Sequence, residues 1–584
     1  MLALSLLPLL RCDLTVPATP GALHAAAAQL AAETASPASL ERHVCLLPGD
    51  HLLQGRSLRL GAAHNDRQGA RVRWRAADPA RPASEYVVRA GVALTRWERC
   101  GDAAHCVGWD GVWAHPSEGI ANVSAEDVPF RQLWVGGRRA ARVSRTGASL
   151  GLRATAWGYV ADAEASDAWV ADQVELRWPS QIKNWIEPRC VISAVSGANL
   201  TVAPECWASL IARNGGELPP PPLFVENIAT PPEPGQFYAS AQYIYYRPEA
   251  SDPYAPPTDA WVPLGDTILE ADSLANHSFE GLTFAHATWR QPSAAGGYVP
   301  SQSLVTPHGE PQGAVRFTRA RGLLIERCAF AHVGAAYALS IGGASQDVAV
   351  RASTFADLSG GALKLGNVDD ARALSTDPDA FDARLVVEDN VMQGVAVEFR
   401  GAAAVFAGYV AQTSIRHNSI SDCGYTGISL GWGWGTHVEG PQTFAADNEV
   451  SYNRLTGVMS ALNDGGCTYT LGPQPRSRVE YNFCSADNAP VVGCFYHDNG
   501  SRYFTTKGNV AQGSPAPCVY LQGCCNSPAY DIARRTAPST RALCTSLGQH
   551  DDRVPSLVEE MSETVPSIRD VLEFVEEKFL VVSS

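Results

Sequence analysis

A segment of eight residues occurs six times without gaps between residues 323 and 484, and this repeat constrains the fold more than any other feature of the chain. Every copy has an apolar residue at its third position and an apolar or small residue at its eighth. The copies are residues 323–330, 348–355, 385–392, 413–420, 448–455 and 477–484. Repeats of this kind are typical of solenoids, in which each unit packs only against its neighbours.

The sixth position of the repeat is asparagine in four copies, and Cys328 and Ser353 occupy it in the other two. The four asparagines are Asn390, Asn418, Asn453 and Asn482. We predict that they form a ladder in a tight turn, because asparagine accepts left-handed backbone angles and its amide can bond to the coils above and below. Their predicted role is therefore structural.

Successive third positions of the repeat lie 25 to 37 residues apart. The shorter spacings fit one coil of a right-handed parallel β-helix, and the longer ones indicate loops inserted in a coil. Gly and Pro are abundant (51 and 39 residues), Met is scarce (4), and only 18% of residues are charged, which is typical of a turn-rich β protein. We therefore predict an all-β fold built mainly of a right-handed parallel β-helix.

The rest of the chain is predicted to extend this solenoid. A helix with Thr19 as N-cap and Pro20 at its first position should cover the open end of the stack. Short β-like runs before residue 87 suggest the first coils, and strand-turn-strand patterns without a fixed period follow them. The predicted parts are a possible weak signal peptide (1–18), a cap helix and first coils (19–86), an inserted, mostly antiparallel β subdomain (87–270), the main β-helix (271–535) and a short acidic helical tail (536–584).

Charge and cysteine content narrow the possible partners and the compartment. Acidic residues outnumber basic ones by 60 to 45, which argues against nucleic acid or an anionic membrane surface as a partner. No apolar run reaches membrane-spanning length. The fifteen cysteines show no zinc or redox spacing, although Cys100 and Cys106 are placed to close a small loop and Cys524 and Cys525 are adjacent. Buried apolar thiols are the alternative to disulfides. We expect a secreted or extracellular monomer.

Two aspartates follow apolar runs on consecutive predicted coils and are the candidate catalytic residues. Asp464 lies in residues 462–466, and Asp498 lies in residues 496–501. Because neighbouring parallel strands are about 4.8 Å apart, we expect both carboxyls to follow the same strand of the coil and to stack. Repulsion and burial would raise one pKa, leaving an acid and a base of the kind that glycosidic cleavage requires. The alternative is that each aspartate only caps a turn.

Aromatic and polar residues near the aspartates suggest a sugar-binding surface. Trp432 and Trp434 alternate with glycines one coil earlier, a pattern suited to stacking on the apolar face of a sugar. A buried core position is the alternative for each indole. His437, Tyr469 and His497 are predicted to donate or accept hydrogen bonds with sugar hydroxyls. The pattern requires no cofactor and no metal.

Three motifs carry a resemblance to a known family. Residues 427–435, residues 462–472 and residues 496–501 resemble the corresponding segments of bacterial parallel β-helix proteins of glycoside hydrolase family 141 and its relatives, which include an α-L-fucosidase and xylanases. The resemblance covers residues 40 to 530 approximately. It implies that Asp464 and Asp498 are the paired catalytic aspartates and that the substrate is a polysaccharide or oligosaccharide. Asn499 departs from the pattern, since many relatives have Glu there, and this affects the expected substrate.

Three functions are therefore open from the sequence. The first is a secreted glycoside hydrolase. The second is a polysaccharide lyase or uronate epimerase, which would use the aspartates for Ca²⁺ and a Lys, Arg or His as base; Lys507 is the nearest lysine in sequence. The third is a non-catalytic adhesin or carbohydrate-binding scaffold, in which the tryptophans bind glycans and the aspartates cap turns.

Overall fold

Three long parallel sheets dominate the structure. The computed structural model describes residues 12–32, 41–101, 105–118, 120, 130–249, 255–290, 292–293, 297–307, 309–434, 443–485, 491–512 and 519–521. Over these residues the three sheets contain 11, 10 and 10 strands, and in each the pairs that connect neighbouring coils are parallel. Successive coils contribute one strand to each sheet, so the chain forms a parallel β-helix. The predicted all-β fold is confirmed.

The sheets are numbered here by the order in which a coil passes through them. Sheet 1 contains Leu14–Val16, Glu41–Leu46, Arg71–Ala76, His277–Glu280, Arg321–Glu326, Gln346–Arg351, Ala383–Glu388, Ser414–Arg416, Glu449–Ser451, Pro473–Glu480 and Arg502–Lys507. Sheet 2 contains Gly49–Leu52, Tyr86–Arg89, Thr283–Ala285, Ala329–Val333, Thr354–Leu358, Val391–Val395, Ser419–Cys423, Arg454–Thr456, Phe483–Ser485 and Val510–Gln512. Sheet 3 contains Leu58–Leu60, Leu269–Asp272, Gly313–Thr318, Tyr337–Gly342, Gly361–Leu365, Val405–Ala407, Ile428–Leu430, Thr468–Thr470, Phe495–His497 and Val519–Leu521.

The register of the sheets follows the sequence repeat. Third-position residues pair with one another along sheet 1, as Ile325 does with Val350. Eighth-position residues pair in the same way along sheet 2, as Phe330 does with Phe355, and the two phenyl rings stack with centroids 4.7 Å apart. Both rows are buried in the main core. The repeat therefore predicted the stacking register of consecutive coils.

The predicted asparagine ladder is present at the corner between sheets 1 and 2. The side-chain nitrogen of Asn418 donates to Asn453 Oδ1 at 2.9 Å, and that of Asn453 donates to Asn482 Oδ1 at 3.0 Å. Asn509 continues the ladder in the next coil. The left-handed backbone angle falls one residue earlier than we predicted, for example at Tyr452 (φ 55°), because the asparagine side chain must point inward to reach its neighbours.

We expect Asn453→Ala to lower the free energy of unfolding by about 1–3 kcal/mol, because it removes the buried acceptor of the Asn418 N–H and side-chain amide and the buried donor to Asn482 Oδ1. Chemical denaturation followed by circular dichroism measures the change. Asn199→Ala is a matched control, since Asn199 is exposed and bonds only to a local carbonyl. An equal decrease of the free energy of unfolding in the two variants would contradict a stabilising role of the asparagine ladder.

The long spacings in the repeat come from loops at one corner, where the chain leaves sheet 3. One loop, which includes the short helix Asp370–Ala373 and the 3₁₀ turn Pro378–Ala380, connects Gly361–Leu365 to the next strand of sheet 1. A second long connection follows Ile428–Leu430. Both connections therefore begin at the ends of sheet 3 strands.

A helix covers the N-terminal end of the coil stack. It spans Ala22–Ala32 and buries Leu23 and Leu30 in the main core. It begins later than predicted, since Thr19 and Pro20 lie in a turn whose Thr19 carbonyl accepts from the Ala22 N–H. The strand Leu14–Val16 pairs with sheet 1, so part of the stretch predicted as a signal peptide belongs to the β-helix.

A large insertion leaves the β-helix between sheets 2 and 3 of one coil and does not interrupt the stack. Its first and last strands are Gly91–Leu94 and Ala260–Pro263, which pair with each other. Coils on either side of it pair directly, as Trp74 does with Phe279. The insertion contains two hairpins, one formed by Trp134–Val135 with Arg138–Arg139 and one by Gln236–Ala239 with Tyr243–Tyr246.

The insertion forms three mainly antiparallel sheets in the described part of the chain. Their strands are Gly91–Leu94, Trp134–Val135, Arg138–Arg139 and Ala260–Pro263; Glu98–Arg99, Trp113–Pro116, Ala141–Arg142, Gln236–Ala239 and Tyr243–Tyr246; and Ser144–Arg145, Arg153–Thr155, Gly158–Val160, Glu175–Arg177, Arg189–Ser196, Asn199–Val202 and Phe224–Glu226. The helices Ala168–Ala171 and Pro204–Arg213 lie in the same region, and Pro204–Arg213 packs its buried face on the largest of these sheets.

Several predictions fall on residues outside the described ranges. These are the helical tail (536–584), His437 and the pair Cys524–Cys525. Among the described residues, no helix has the length and apolar character needed to cross a lipid bilayer. Four disulfides form within the same residues, Cys12–Cys45, Cys100–Cys106, Cys190–Cys206 and Cys467–Cys484, and Cys328 and Cys423 are buried thiols.

Candidate functional site

The candidate site lies on the outer face of sheet 3, near the C-terminal end of the coil stack. Tyr469 pairs with Tyr496 and Tyr496 with Tyr520, so three tyrosines of consecutive coils form one column. Tyr469 and Tyr496 pack in a small cluster outside the main core, whereas their strand neighbour Phe495 lies inside it. Because side chains alternate along a strand, this column faces outward.

Asp498 follows the strand Phe495–His497, on the same outward side as Tyr496. Its N–H donates to the Thr470 carbonyl at 3.1 Å, which continues the ladder of sheet 3 for one residue. The Tyr469 phenol donates to Asp498 Oδ2. Within the described residues, the buried Oδ1 atom accepts no hydrogen bond of good geometry. One oxygen of Asp498 is thus oriented by Tyr469, and the other is buried without a hydrogen-bond partner among the described residues.

Asp464 lies in the turn that precedes the strand Thr468–Thr470, at the opposite end of the sheet 3 strands from Asp498. The expectation that both aspartates follow the same strand is therefore wrong. Asp464 lies in the connection from sheet 2 to sheet 3, whereas Asp498 lies after the sheet 3 strand of the next coil. Asp464 has φ of 61°, a left-handed angle that aspartate tolerates better than most residues.

The Tyr496 phenol connects the two aspartates across the outer face. It donates to Asp464 Oδ1 at 3.1 Å and also lies beside Asp498, whose charge raises the pKa of Tyr496. Burial raises the pKa of Asp464, and the charge of Asp498 raises it further, whereas the bond from Tyr496 lowers it. The two carboxyls are therefore linked through Tyr496, and the pKa of Asp464 is raised.

Residues that the sequence did not single out hold the Asp464 turn. The Tyr425 phenol donates to the Asp464 carbonyl at 2.8 Å, and Gln302 Nε2 donates to that phenol at 3.5 Å. The Asn463 N–H donates to the Asn184 carbonyl of the insertion at 2.8 Å. The insertion therefore contacts the turn that carries a candidate catalytic residue. Tyr496 can be recognised as a neighbour of Asp498 from strand alternation alone, because it precedes Asp498 by two residues and so points to the same side of the strand.

The two tryptophans have different environments. Trp432 is buried with 8% of its surface exposed, and its ring meets Phe406 edge-on at 5.9 Å, so the core alternative holds for it. Trp434 is half-buried and packs against the outer cluster that contains Tyr469 and Tyr496. Gly431 between the sheet and the rings has φ of 100° and passes so close to Leu471 that a Cβ there would clash with its carbonyl oxygen. Only Trp434 is placed to contact a sugar.

Tyr469 and His497 are not placed as predicted. Tyr469 is buried and directs its phenol to Asp498, so it orients a carboxylate rather than a sugar. His497 points into the β-helix, where its ring nitrogens bond to Thr470 and Thr506 at 2.7 and 2.8 Å. Strand alternation explains the difference, because His497 lies between the outward residues Tyr496 and Asp498.

The buried His497 makes the stability of the fold pH-dependent. Burial lowers its pKa to about 4 from the ordinary 6.5. The unfolded chain therefore binds a proton between pH 6.5 and 4 that the folded chain does not bind, and stability falls as the pH is lowered through this range. The loss attributable to this residue reaches about 3 kcal/mol at 1.36 kcal/mol per pKa unit.

We expect His497→Gln to remove this component, because glutamine keeps polar atoms near both threonines and does not titrate. Thermal melting of both proteins between pH 4 and 7 measures it, and other histidines contribute equally to both curves. The difference between the two melting temperatures should change as the pH falls from 6.5 to 4. A difference that is constant with pH would contradict the buried, neutral state of His497.

The described residues near the site offer few further ionisable groups. In the part of the chain that the structure describes, no three His, Cys, Asp or Glu side chains converge as a metal site would require. The disulfide Cys467–Cys484 joins the end of the Asp464 turn, directly before the strand Thr468–Thr470, to sheet 2 of the following coil. The arrangement therefore provides two carboxyls, three phenols and one indole on one face of the β-helix.

Comparisons with known proteins bear on the fold. No family model matches the sequence, and no curated protein matches it. A solved structure described as "Glycoside hydrolase" superimposes with a TM-score of 0.67 at 21% identity, over 83% of this chain and 89% of that chain. A structure described as a complex of XylC with xylose gives a TM-score of 0.43 at 12% identity, over 82% of this chain and 64% of that one. The first likeness shows a shared fold, and membership of family 141 stays a prediction.

Proposed function

We propose that this chain is a glycoside hydrolase that cleaves glycosidic bonds of a polysaccharide or oligosaccharide with Asp464 and Asp498. The observation that carries the proposal is the pair of carboxyls on the outer face of sheet 3, linked through the Tyr496 phenol and unequal in environment. Glycosidic cleavage by two carboxyls needs one that keeps its proton and one that is ionised. The fold that this chain shares with a solved glycoside hydrolase supports the proposal.

Asp464 is assigned the role of general acid. Burial and the charge of Asp498 raise its pKa, so that it retains a proton at a higher pH than a free aspartate does. A protonated carboxyl can donate to the oxygen of the leaving sugar. Asp498 is assigned the role of the carboxylate that activates water or attacks the anomeric carbon, with Oδ2 held by Tyr469 and Oδ1 without a hydrogen-bond partner among the described residues.

Two observations favour hydrolysis over a lyase or epimerase reaction. Lys507, the lysine nearest in sequence, lies on sheet 1 and pairs with Glu480 at 3.7 Å, so it is not on the face that carries the aspartates. The phenols of Tyr469 and Tyr496 have raised pKa values because of burial and the nearby carboxylates. They therefore stay protonated and act as donors, whereas proton abstraction beside a uronate requires a base.

The proposed enzyme is secreted, acts as a monomer and takes a plant- or algal-type glycan, in line with the resemblance to family 141. The four disulfides of the described residues support an oxidising compartment, since such bonds are rare in reducing cytosols. Fucosidase- or xylanase-like specificity is the narrower expectation. Trp434 beside the Tyr469–Tyr496 cluster supplies an aromatic surface for a sugar ring.

A hydrolysis panel tests the proposal. The full chain is incubated with xylans, pectic polysaccharides, fucose-containing glycans and aryl glycosides, and the release of reducing sugar or aryl alcohol is measured. A protein carrying both Asp464→Asn and Asp498→Asn serves as the negative control. Release by the wild type alone supports a hydrolase. An ultraviolet-absorbing unsaturated product, or equal release by both proteins, would overturn the proposal.

We expect Tyr496→Phe to move the alkaline limb of the pH–rate profile to higher pH. The phenol stabilises the ionised form of Asp464, so its removal raises the pKa of that carboxyl, and the acid then stays protonated at higher pH. The profile of kcat/KM against pH measures the shift. Tyr520→Phe is the matched control, since the Tyr520 ring meets that of Tyr496 edge-on in the next coil, with centroids 5.2 Å apart. A limb that moves to lower pH would contradict the acid role of Asp464.

A further inference from the structure

A cavity opens on the outer face of sheet 3, several coils before the aspartates. Its volume is about 410 Å³, which is within the range of small-molecule sites. The floor includes the buried residues Thr288 and Tyr298, and Trp289 forms part of the wall. Asp266 and Gln312 lie at the exposed rim. The cavity is thus open to solvent and combines aromatic with hydrogen-bonding side chains.

The ionised residues of this cavity already have partners of opposite charge. Glu310 pairs with Lys364 at 2.7 Å, and Arg316 pairs with Glu270 at 2.8 Å. Asp266 pairs with Arg290 at 3.3 Å. A charged ligand would have to compete with these pairs, whereas an uncharged polyhydroxylated ligand would not. The charge balance therefore favours a neutral ligand over a uronate, a phosphate or a sulfate.

The aromatic residues suit the apolar face of a sugar. The Trp289 ring is partly exposed and meets Tyr298 edge-on, with centroids 5.4 Å apart, and Phe399 lies behind it at 5.1 Å. These contacts hold the indole in one orientation before a ligand binds, which lowers the entropic cost of binding. Tyr298 is 2% exposed, so it supports the indole rather than contacting the ligand along its length.

The cavity and the candidate active site share one column of sheet 3. Paired positions run from Arg316 through Ser340, Lys364, Phe406 and Ser429 to Tyr469. Five strand spacings of about 4.8 Å place the two sites about 24 Å apart along the β-helix axis. The stretch between them is covered, since Lys364 and Phe406 are buried. A ligand that reaches both sites must therefore be an extended chain that passes over the surface.

We propose that this cavity binds a neutral sugar unit of the polymer that the aspartates cleave, and so anchors a long substrate away from the point of cleavage. The proposal rests on the proposed function for the identity of the polymer. Two linked binding events raise the effective affinity for a long chain, and a short oligosaccharide gains nothing from the second site. The cavity would therefore distinguish polymer from oligomer.

Affinity electrophoresis of the full chain in gels that contain neutral xylan, galactomannan or mixed-linkage β-glucan tests the proposal. Trp289→Ala should weaken retardation by the polysaccharide that binds best by at least tenfold in apparent Kd. Gln312→Ala changes an exposed rim residue and leaves the core intact. It should weaken retardation by about threefold, which is less than the effect of removing the indole. Gln393→Ala on sheet 2 is the matched control and should behave as the wild type.

The outcomes separate this proposal from the proposed function. Retardation that is weakened at least tenfold in Trp289→Ala and about threefold in Gln312→Ala but kept in Gln393→Ala supports the anchor, even if no glycan is hydrolysed. If a substrate is found, the two cavity variants should raise KM for the polymer and leave kcat/KM for a trisaccharide within twofold. Equal retardation of the wild type and both cavity variants, or no retardation of the wild type by any neutral polysaccharide, would overturn the proposal. If Trp289→Ala does not fold, Gln312→Ala decides.

Discussion

Asp464→Asn is expected to slow the hydrolysis of a natural glycoside by about 10²–10⁴-fold, the usual contribution of a general acid. Asparagine cannot protonate the leaving oxygen, and its side chain keeps the shape of aspartate in the turn. An activated aryl glycoside has a leaving group that departs without a proton, so the loss on that substrate should be much smaller. Initial rates on both substrates measure the contrast.

Asp498→Asn should lose activity on both substrates, because the activation of water or the attack on the anomeric carbon is needed whatever the leaving group. Asp422→Asn is a matched control, since Asp422 has φ of 56°, close to the 61° of Asp464, and lies on sheet 2 away from the site. Unchanged circular dichroism in all three proteins excludes unfolding. Equal losses for Asp464→Asn on natural and activated substrates would contradict the acid role.

Arg189→Met is expected to lower the free energy of unfolding by about 3–5 kcal/mol, the cost of removing one member of a buried ion-pair network. Arg189 is fully buried and pairs with Glu175 at 2.8 Å and with Glu187 at 3.4 Å. It also donates to the Glu398 carbonyl of the β-helix, so it joins the insertion to the coils. The nearby arginines lower the pKa of Glu175, and that carboxylate stays ionised.

Urea denaturation followed by tryptophan fluorescence measures the loss in Arg189→Met. Arg138→Met is the matched control, because Arg138 and its partner Glu249 are both exposed and such pairs contribute about 0–1 kcal/mol. Activity should fall together with stability, since the Asn184 carbonyl of the insertion holds the Asp464 turn. Similar effects of the two substitutions would contradict a buried network as the connection between insertion and β-helix.

The sequence was most informative where a local pattern repeats. The spacing of Ile325, Val350 and Phe355 predicted which residues stack, because one-residue slips would turn the apolar side chains outward. The asparagine ladder was predictable for the same reason. The insertion has no period, and its topology depends on pairings between distant strands such as Gly91–Leu94 and Ala260–Pro263, which no local signal specifies.

The candidate site was predicted in part. Asp498 follows its sheet 3 strand as expected, whereas the position of Asp464 depends on how the turn before Thr468–Thr470 folds against the insertion. That contact, from Asn463 to Asn184, joins residues 279 positions apart in the chain. The inward position of His497 could have been predicted from the sequence. Side chains alternate along a strand, and His497 lies between Tyr496 and Asp498, which both point outward.

The most direct test of the account is a crystal structure of the Asp464→Asn protein with an uncleaved oligosaccharide of the polymer that it hydrolyses. The account predicts that a glycosidic oxygen lies within about 3.2 Å of the residue 464 side chain, with Asp498 Oδ1 directed at the adjoining anomeric carbon or at a water beside it. An oligosaccharide bound along sheet 3 with neither side chain in reach of a glycosidic bond would contradict the assignment of Asp464 and Asp498 as the catalytic pair.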